Sequence, residues 1–190
     1  IRVSVLRKFF VKQMETERLI LRKFREDDLD DLFAYAKLET VGPNAGWLPH
    51  PDKLHSQRIL DNFISNDEVW ALYHKVDEKV IGSIGLHHTD ILNYENVYEL
   101  GYVLSTEYEG RGLMTEGVKA VLNHAFNNLN LDKIFCGHFL ENSRSEKLIN
   151  RLPFKYITDT DYQSRDYGLK RSKIYVMKKE DYELYRGGKK

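Results

Sequence analysis

The spacing of hydrophobic and polar positions changes several times along the chain, and each change marks an element. Leu19–Arg22 is short and apolar and reads as a strand. Residues 27–37 carry Leu29, Leu32, Phe33 and Ala36 at helical spacing, with acids concentrated in the first turn, where the helix dipole favours them. Gly42–Pro43–Asn44–Ala45–Gly46 reads as a loop. Residues 52–64 predict a second helix with Ile59, Leu60, Phe63 and Ile64 inward. Three strand-like runs follow at 69–75, 80–87 and 97–104. The turn strings Asp77–Glu78–Lys79 and Asn93–Tyr94–Glu95–Asn96 separate them, which predicts an antiparallel meander. Residues 113–129 place Val118, Val121, Leu122, Ala125 and Leu129 on one helical stripe. A strand at 134–140, a helix at 143–152 and two strands near 154–158 and 173–177 complete the order. The expected fold class is α/β, of the mixed α+β kind, with a central, mostly antiparallel sheet flanked by helices.

The junction at residues 102–116 carries the most chemistry. Tyr102–Val103–Leu104 enters Glu107–Tyr108–Glu109–Gly110–Arg111–Gly112, and an amphipathic helix opens at once with Leu113–Met114–Thr115–Glu116. The first amides of that helix have no intrahelical partner, and the dipole adds positive charge there, which suits an anionic phosphate. Gly110 and Gly112 lack a Cβ, so the chain can bend sharply and a ligand can come close. A glycine pair also makes ordinary turns, so the loop by itself leaves both readings open. A P-loop requires Lys-Ser/Thr after its last glycine, where Leu113–Met114 stands, and a dinucleotide fingerprint requires a third glycine at Thr115.

Composition narrows the field. The 29 basic and 29 acidic residues balance, so no global charge steers the 190-residue chain to nucleic acid. The single cysteine, Cys136, excludes an internal disulfide and fits a reducing cytoplasm. It lies in the apolar run Ile134–Phe135–Cys136, which reads as core. No apolar stretch approaches the ~20 residues of a membrane span. Residues 1–13 read as a leader or upstream extension, since Met14 directly precedes the first strand pattern and Leu6–Arg7–Lys8–Phe9–Phe10 lacks the apolar length of a signal peptide. Residues 14–184 read as one domain and 185–190 as a frayed tail.

The motifs, in their order, resemble the Gcn5-related N-acetyltransferases, and within them the branch of the bacterial ribosomal-protein alanine acetyltransferases. Thr16–Glu17–Arg18–Leu19–Ile20–Leu21–Arg22 is similar to that branch's opening strand, Trp47–Leu48–Pro49–His50 to its substrate-side loop, and Asn142–Ser143–Arg144–Ser145 before Phe154 to its closing helix motif. The family's pyrophosphate loop reads Arg/Gln-x-x-Gly-x-Gly/Ala, and this chain keeps the glycines but begins at Glu107. The resemblance implies a sheet that splays open beside the loop. It implies acetyl-CoA as cosubstrate, held by Val103, Leu104, Glu109, Gly110, Arg111, Gly112, Leu113, Met114, Thr115 and Asn142, with no metal. The implied acceptor is an amine-bearing small molecule or a protein N-terminus, with neither nucleic acid nor membrane as direct partner.

Acetyl transfer to an amine needs a proton acceptor, because an alkylammonium with a pKa of ~10.4 is mostly protonated at neutral pH. Strand alternation puts Glu99, Gly101 and Val103 on one face, and Glu99 is the leading base, against a structural carboxylate or cross-strand ion pair. Many family members place a tyrosine seven residues after the motif asparagine, where Ile149 stands here. The resemblance then points to Ser145 as the group at the sulfur, against a plain helix start capped by Asn142 or by a Ser143/Glu146 box. Pro153 stands where the family has glycine. Trp47, His50 and His87 are candidates for the acceptor side, with loop anchoring and solvated strand-end histidines as the alternatives. His87 and His88 are adjacent and point to opposite faces, which argues against a zinc pair. No Gly-x-Ser-x-Gly elbow suggests a hydrolase. A non-catalytic acyl-CoA-binding or regulatory module is the competing reading, and thiol release with a panel of amines separates the two.

Overall fold

The computed structural model describes residues 10–188. The strands are β1 (Met14–Glu15), β2 (Leu19–Arg22), β3 (Val69–His74), β4 (Lys79–Ile91), β5 (Tyr94–Leu104), β6 (Lys133–Phe139), β7 (Lys155–Ser164) and β8 (Gly168–Lys178). The helices are α1 (Leu29–Ala36), α2 (Gly42–Ala45), α3 (Lys53–Ser65), α4 (Leu113–Asn127), α5 (Ser143–Asn150) and α6 (Lys179–Gly187). This is the expected mixed α/β class. Among the described residues no helix is long and apolar enough to cross a membrane. The chain divides into two compact units: the chain up to Gly85 with Tyr102–Val121, and Leu86–Gly101 with the chain from Leu122.

In the first unit the strand order is β1-β2-β3-β4, antiparallel, with Leu19 opposite His74 and Val69 opposite Gly85. Leu19 and Leu21 alternate into the core, while Arg22 is buried because both its terminal nitrogens reach Asp28, at 2.8 and 2.9 Å. Phe24, Leu32, Tyr35, Ala36, Val41, Leu60, Val69, Ala71 and Val80 form the core under α1 and α3. Asp52 caps α3 by accepting the His55 amide at 2.8 Å. Ile64, expected inward, is 40% exposed in the last turn of that helix. The expected loop at 42–46 is instead the short helix α2, because Pro43 suits a first helical position and Gly46, at φ 90°, closes it. The last described residues of the expected leader pack here too: Phe10 and Val11 are buried, and Trp70 Nε1 donates to the Lys12 carbonyl at 2.9 Å. Residues 1–9 of that leader lie outside the described residues.

Gly82 on β4 carries the closest approach in this unit. A Cβ added there would stand 2.3 Å from the Val103 carbonyl oxygen. Backbone cannot yield as a flexible side chain can, so Gly82→Ala must force β4 and β5 apart. The expected loss is about 1–3 kcal/mol, the usual range for overpacking. A urea midpoint equal to the parent's would show that the strands accommodate a methyl group.

In the second unit the order is β5-β6-β8-β7. β5 runs parallel to β6 with Glu99 opposite Phe135 and Leu100 opposite Cys136, and β6 continues to Phe139 antiparallel to β8. Cys136 is buried, as its apolar run predicts. The late hairpin is longer than expected, reaching Ser164 and restarting at Gly168, because its outer residues alternate polar groups that carry no apolar signal. The turn expected at 93–96 contracts, with β5 already under way at Tyr94. Helix α4 ends at Asn127, two residues before the end of its predicted stripe. Helix α6 was not expected from the sequence pattern; it is fixed by Tyr182, whose ring stacks on Phe126 at 4.9 Å and whose hydroxyl donates to Asn123 at 3.1 Å. It runs through residues 185–187 of the expected tail, while residues 189–190 lie outside the described residues.

Candidate functional site

In the first unit, β5 delivers Val103 and Leu104, both half-buried, into a single 3-10 turn at Thr106–Tyr108. Tyr108 is buried and anchors the turn: its hydroxyl donates to Asp77 Oδ2 at 2.5 Å, which holds the Asp77 carboxyl below its ordinary value. The Arg111 guanidinium packs 5.0 Å from the centre of that ring and donates to the Glu107 carbonyl at 2.9 Å. Glu109 is extended. Gly110 and Gly112 then both adopt φ of 74°, the left-handed region that glycine enters without strain.

The first helical hydrogen bond runs from the Glu116 amide to the Gly112 carbonyl at 3.0 Å. The amides of Leu113, Met114 and Thr115 therefore precede the ladder, as anion binding at a helix start requires. Leu113 and Met114 bury their side chains and so root this turn in the core. A methyl group added to Gly110 would meet nothing within 4 Å beyond its chain neighbours, which leaves room for a close ligand.

Two residues missed in the sequence complete the loop. Arg18 Nε donates to Glu116 Oε2 at 2.7 Å, and Arg18 Nη1 donates to the Arg111 carbonyl at 2.8 Å. Glu116 also accepts from the Thr16 hydroxyl at 2.6 Å and from the Arg18 amide at 2.8 Å. Burial raises the Glu116 carboxyl's pKa, but Thr16 and the two Arg18 donors outweigh it, so the group stays ionised at neutral pH. The signal for this pair was the polar Thr16–Glu17–Arg18 string leading an apolar strand, together with an acid four residues after Gly112.

Trp47 and His50 lie in the same unit. Trp47 folds over Gly42, where an added Cβ would come within 2.4 Å of its ring. His50 is buried, shares a 2.7 Å hydrogen bond between Nδ1 and the Ser56 hydroxyl, and packs at a tilt between Trp47 and His55, at 5.2 and 4.6 Å. Loop anchoring stood as the alternative for Trp47, and its packing over Gly42 is the geometry of an anchor.

In the second unit, Glu99 is half-buried on β5, and burial pushes its carboxyl up to about 7. A Cβ on Gly137 would stand 3.9 Å from Glu99 Oε1, so the missing side chain leaves space beside the carboxylate. The His87 ring lies 3.7 Å from the Cβ position of Gly101, which shares a face with Glu99 by alternation. His88 turns the other way, onto Tyr98 at 5.2 Å. Tyr162 was not singled out in the sequence; burial first, and then the Glu99 charge, raise its phenol. Asn142 is the N-cap of α5, and its side-chain oxygen accepts the Ser145 amide at 3.2 Å. The cap is thus Asn142, and Ser143 is the first helical residue. Ser145 is buried, and Ile149, one turn on, is fully so.

The structure thus gathers Val103, Leu104, the 109–115 loop, Trp47 and His50 in one unit, and Glu99, His87, Asn142 and Ser145 in the other. A family model described as the acetyltransferase (GNAT) domain matches residues 18–155. The uncharacterized N-acetyltransferase p20 of Bacillus licheniformis is 29% identical over 150 residues, covering 76% of this chain and 83% of that protein. A GNAT-family acetyltransferase from Bacillus anthracis superposes with a TM-score of 0.77 at 17% identity, over 89% of this chain and 99% of that one. The ribosomal-protein-S5-alanine acetyltransferase from Vibrio fischeri superposes with a TM-score of 0.71 at 17% identity, over 90% of this chain and 98% of that one. At these identities the two superpositions establish the fold alone.

Proposed function

Since the chain belongs to the acetyltransferase (GNAT) domain family and is an N-acetyltransferase of it, we propose that it moves an acetyl group from acetyl-CoA to a primary amine, with a protein N-terminus as the first acceptor to test. The observation that carries this reading is the loop: two left-handed glycines directly before α4, ahead of its first hydrogen-bonded amide. That cradle suits a pyrophosphate, and a side chain at either glycine would be strained. The first acceptor to test is taken from a neighbour that shares the fold, the ribosomal-protein-S5-alanine acetyltransferase of Vibrio fischeri. A cytoplasmic site of action is part of the reading, supported by the lone, buried Cys136.

In the proposed reaction Glu99 accepts a proton from the ammonium, directly or through water. The amine nitrogen then bonds to the acetyl carbon and gives up its second proton, the carbon–sulfur bond breaks, and the departing thiolate takes up that proton's equivalent, so that amide and free thiol are the products. A carboxyl titrating near 7 is matched to that task at neutral pH. Ser145 is proposed to donate toward the sulfur, with Asn142 fixing the start of its helix. Val103 and Leu104 would pair with the pantetheine arm through their backbone, and His87 would face the acceptor beside Glu99.

Release of CoA thiol is the assay, run against N-terminal peptides, polyamines and amine antibiotics. Thiol release with one acceptor class supports the reading. Tight acetyl-CoA binding without release across the panel would favour a non-catalytic module instead. Within that assay, Ser145→Ala is expected to lower kcat about tenfold or more while leaving acetyl-CoA affinity nearly unchanged, because its role lies in thiolate departure. Equal kcat in variant and parent would reduce Ser145 to a helix-start residue.

A further inference from the structure

We infer that Arg18 is the positioning residue of the phosphate loop: it sets the Arg111–Gly112 peptide so that the Gly112 amide faces the cofactor's pyrophosphate, and it cancels the Glu116 charge in the first turn of α4. The inference rests on the acetyl-CoA reading above and adds to it a residue 93 positions before Arg111 in the chain. Arg18 is itself held from both sides. Its amide donates to Glu116 Oε1 at 2.8 Å, and its carbonyl accepts from the Lys75 amide at 3.0 Å. The guanidinium therefore leaves a fixed backbone, with Nε on Glu116 and Nη1 on the Arg111 carbonyl. Nη2 lies 3.7 Å from the Cβ position of Gly112.

A trans peptide directs its carbonyl and its N–H to opposite sides. With the Arg111 carbonyl held toward Arg18, the Gly112 N–H must point away from it. The loop would otherwise be free to turn over, since glycine on both sides of Arg111 admits either orientation. The flipped loop would present a carbonyl oxygen to the phosphates, which repel it. Glu116 poses a second problem of the same sign. An ionised carboxylate in the first turn of the helix opposes a bound anion, and the paired guanidinium removes that opposition.

The test compares two ligands on the full chain. Calorimetry gives the affinity for acetyl-CoA, and ligand-observed NMR competition gives that for S-acetylpantetheine, the same thioester without the pyrophosphate. Arg18→Met is expected to weaken acetyl-CoA binding about ten- to a hundredfold, the scale of a hydrogen-bonded charge, and to leave S-acetylpantetheine unchanged. Arg18→Lys is expected to lose less but in the same selective way, because one ammonium cannot serve both a carboxylate and a carbonyl as the guanidinium fork does. Arg18→Lys keeps the charge beside Glu116, and it carries the test alone should Arg18→Met fail to fold. Unchanged acetyl-CoA affinity in the variants, or equal loss for both ligands, overturns the inference. A parent that binds no acetyl-CoA removes the functional reading first and this one with it.

Discussion

Glu99→Gln is expected to lower acetyl transfer about 10²–10⁴-fold, the usual contribution of a general base, with acetyl-CoA affinity nearly unchanged. Glutamine keeps the size of the side chain and removes the basic oxygen. Because the Glu99 carboxyl titrates at about 7, the parent's kcat/KM should rise as pH passes upward through that value, and the variant should lack that limb. Deprotonation of the amine itself continues to raise both rates at higher pH, so the comparison is made around neutrality. Stability should move the other way. The folded-state pKa lies above the ordinary 4.5, so the stabilisation is fully present below pH 4.5 and is lost as pH rises to about 7. Above that, the parent holds a half-buried carboxylate that costs on the order of 2 kcal/mol, after allowing for its partial contact with water. Glutamine carries no such cost, so the variant should be the more stable protein at pH 8 and the less active one. A variant with full activity across the range would make Glu99 structural, leaving water or the neutral fraction of the acceptor to supply the nucleophile.

Gly112→Val is expected to weaken acetyl-CoA binding more than tenfold, over ~1.4 kcal/mol. The main cause is conformational. Gly112 sits at φ 74°, and a β-branched residue is strained there by roughly 1–2 kcal/mol or more. The Cβ itself meets Arg18 Nη2 at 3.7 Å, an ordinary contact, so the backbone rather than a clash decides the outcome. Relieving that strain means moving φ out of the left-handed region, which turns the amide at the helix start away from the phosphates. Calorimetry on the folded variant is the measurement, and parent-like affinity would take the loop out of the site.

The parts of this protein legible in the sequence were those encoded over a few neighbouring residues. The loop could be read because two glycines stand directly before an amphipathic stripe, and the face of Glu99 because alternation is local. Its raised pKa could not be read, since burial is a tertiary property: Gly137 and Tyr162, the neighbours of the Glu99 carboxylate, come from strands far along the chain. Helix α6 escaped because its sequence offers Tyr182 as its main buried apolar group among charged neighbours. The segment at Gly42–Ala45 carries three turn-forming residue types, which also suit a single helical turn with proline at its start and a left-handed glycine after its end. Arg18 stood in the opening-strand motif and Glu116 in the first turn after the glycines, but nothing local pairs them, and only their meeting gives them a role.

That meeting spans 98 positions in the chain. Closing so long a loop costs chain entropy before the contact returns anything, so the contact is expected to form late in folding. On that expectation the ligand-ready turn at the start of α4 is completed only when the opening strand docks. Acetyl-CoA, binding only the docked form, would then act as a lock on the chain's own last assembly step, by mass action. Hydrogen exchange at the Leu113–Glu116 amides, with and without acetyl-CoA, reads this directly: protection there should grow more than in the core under α1 and α3.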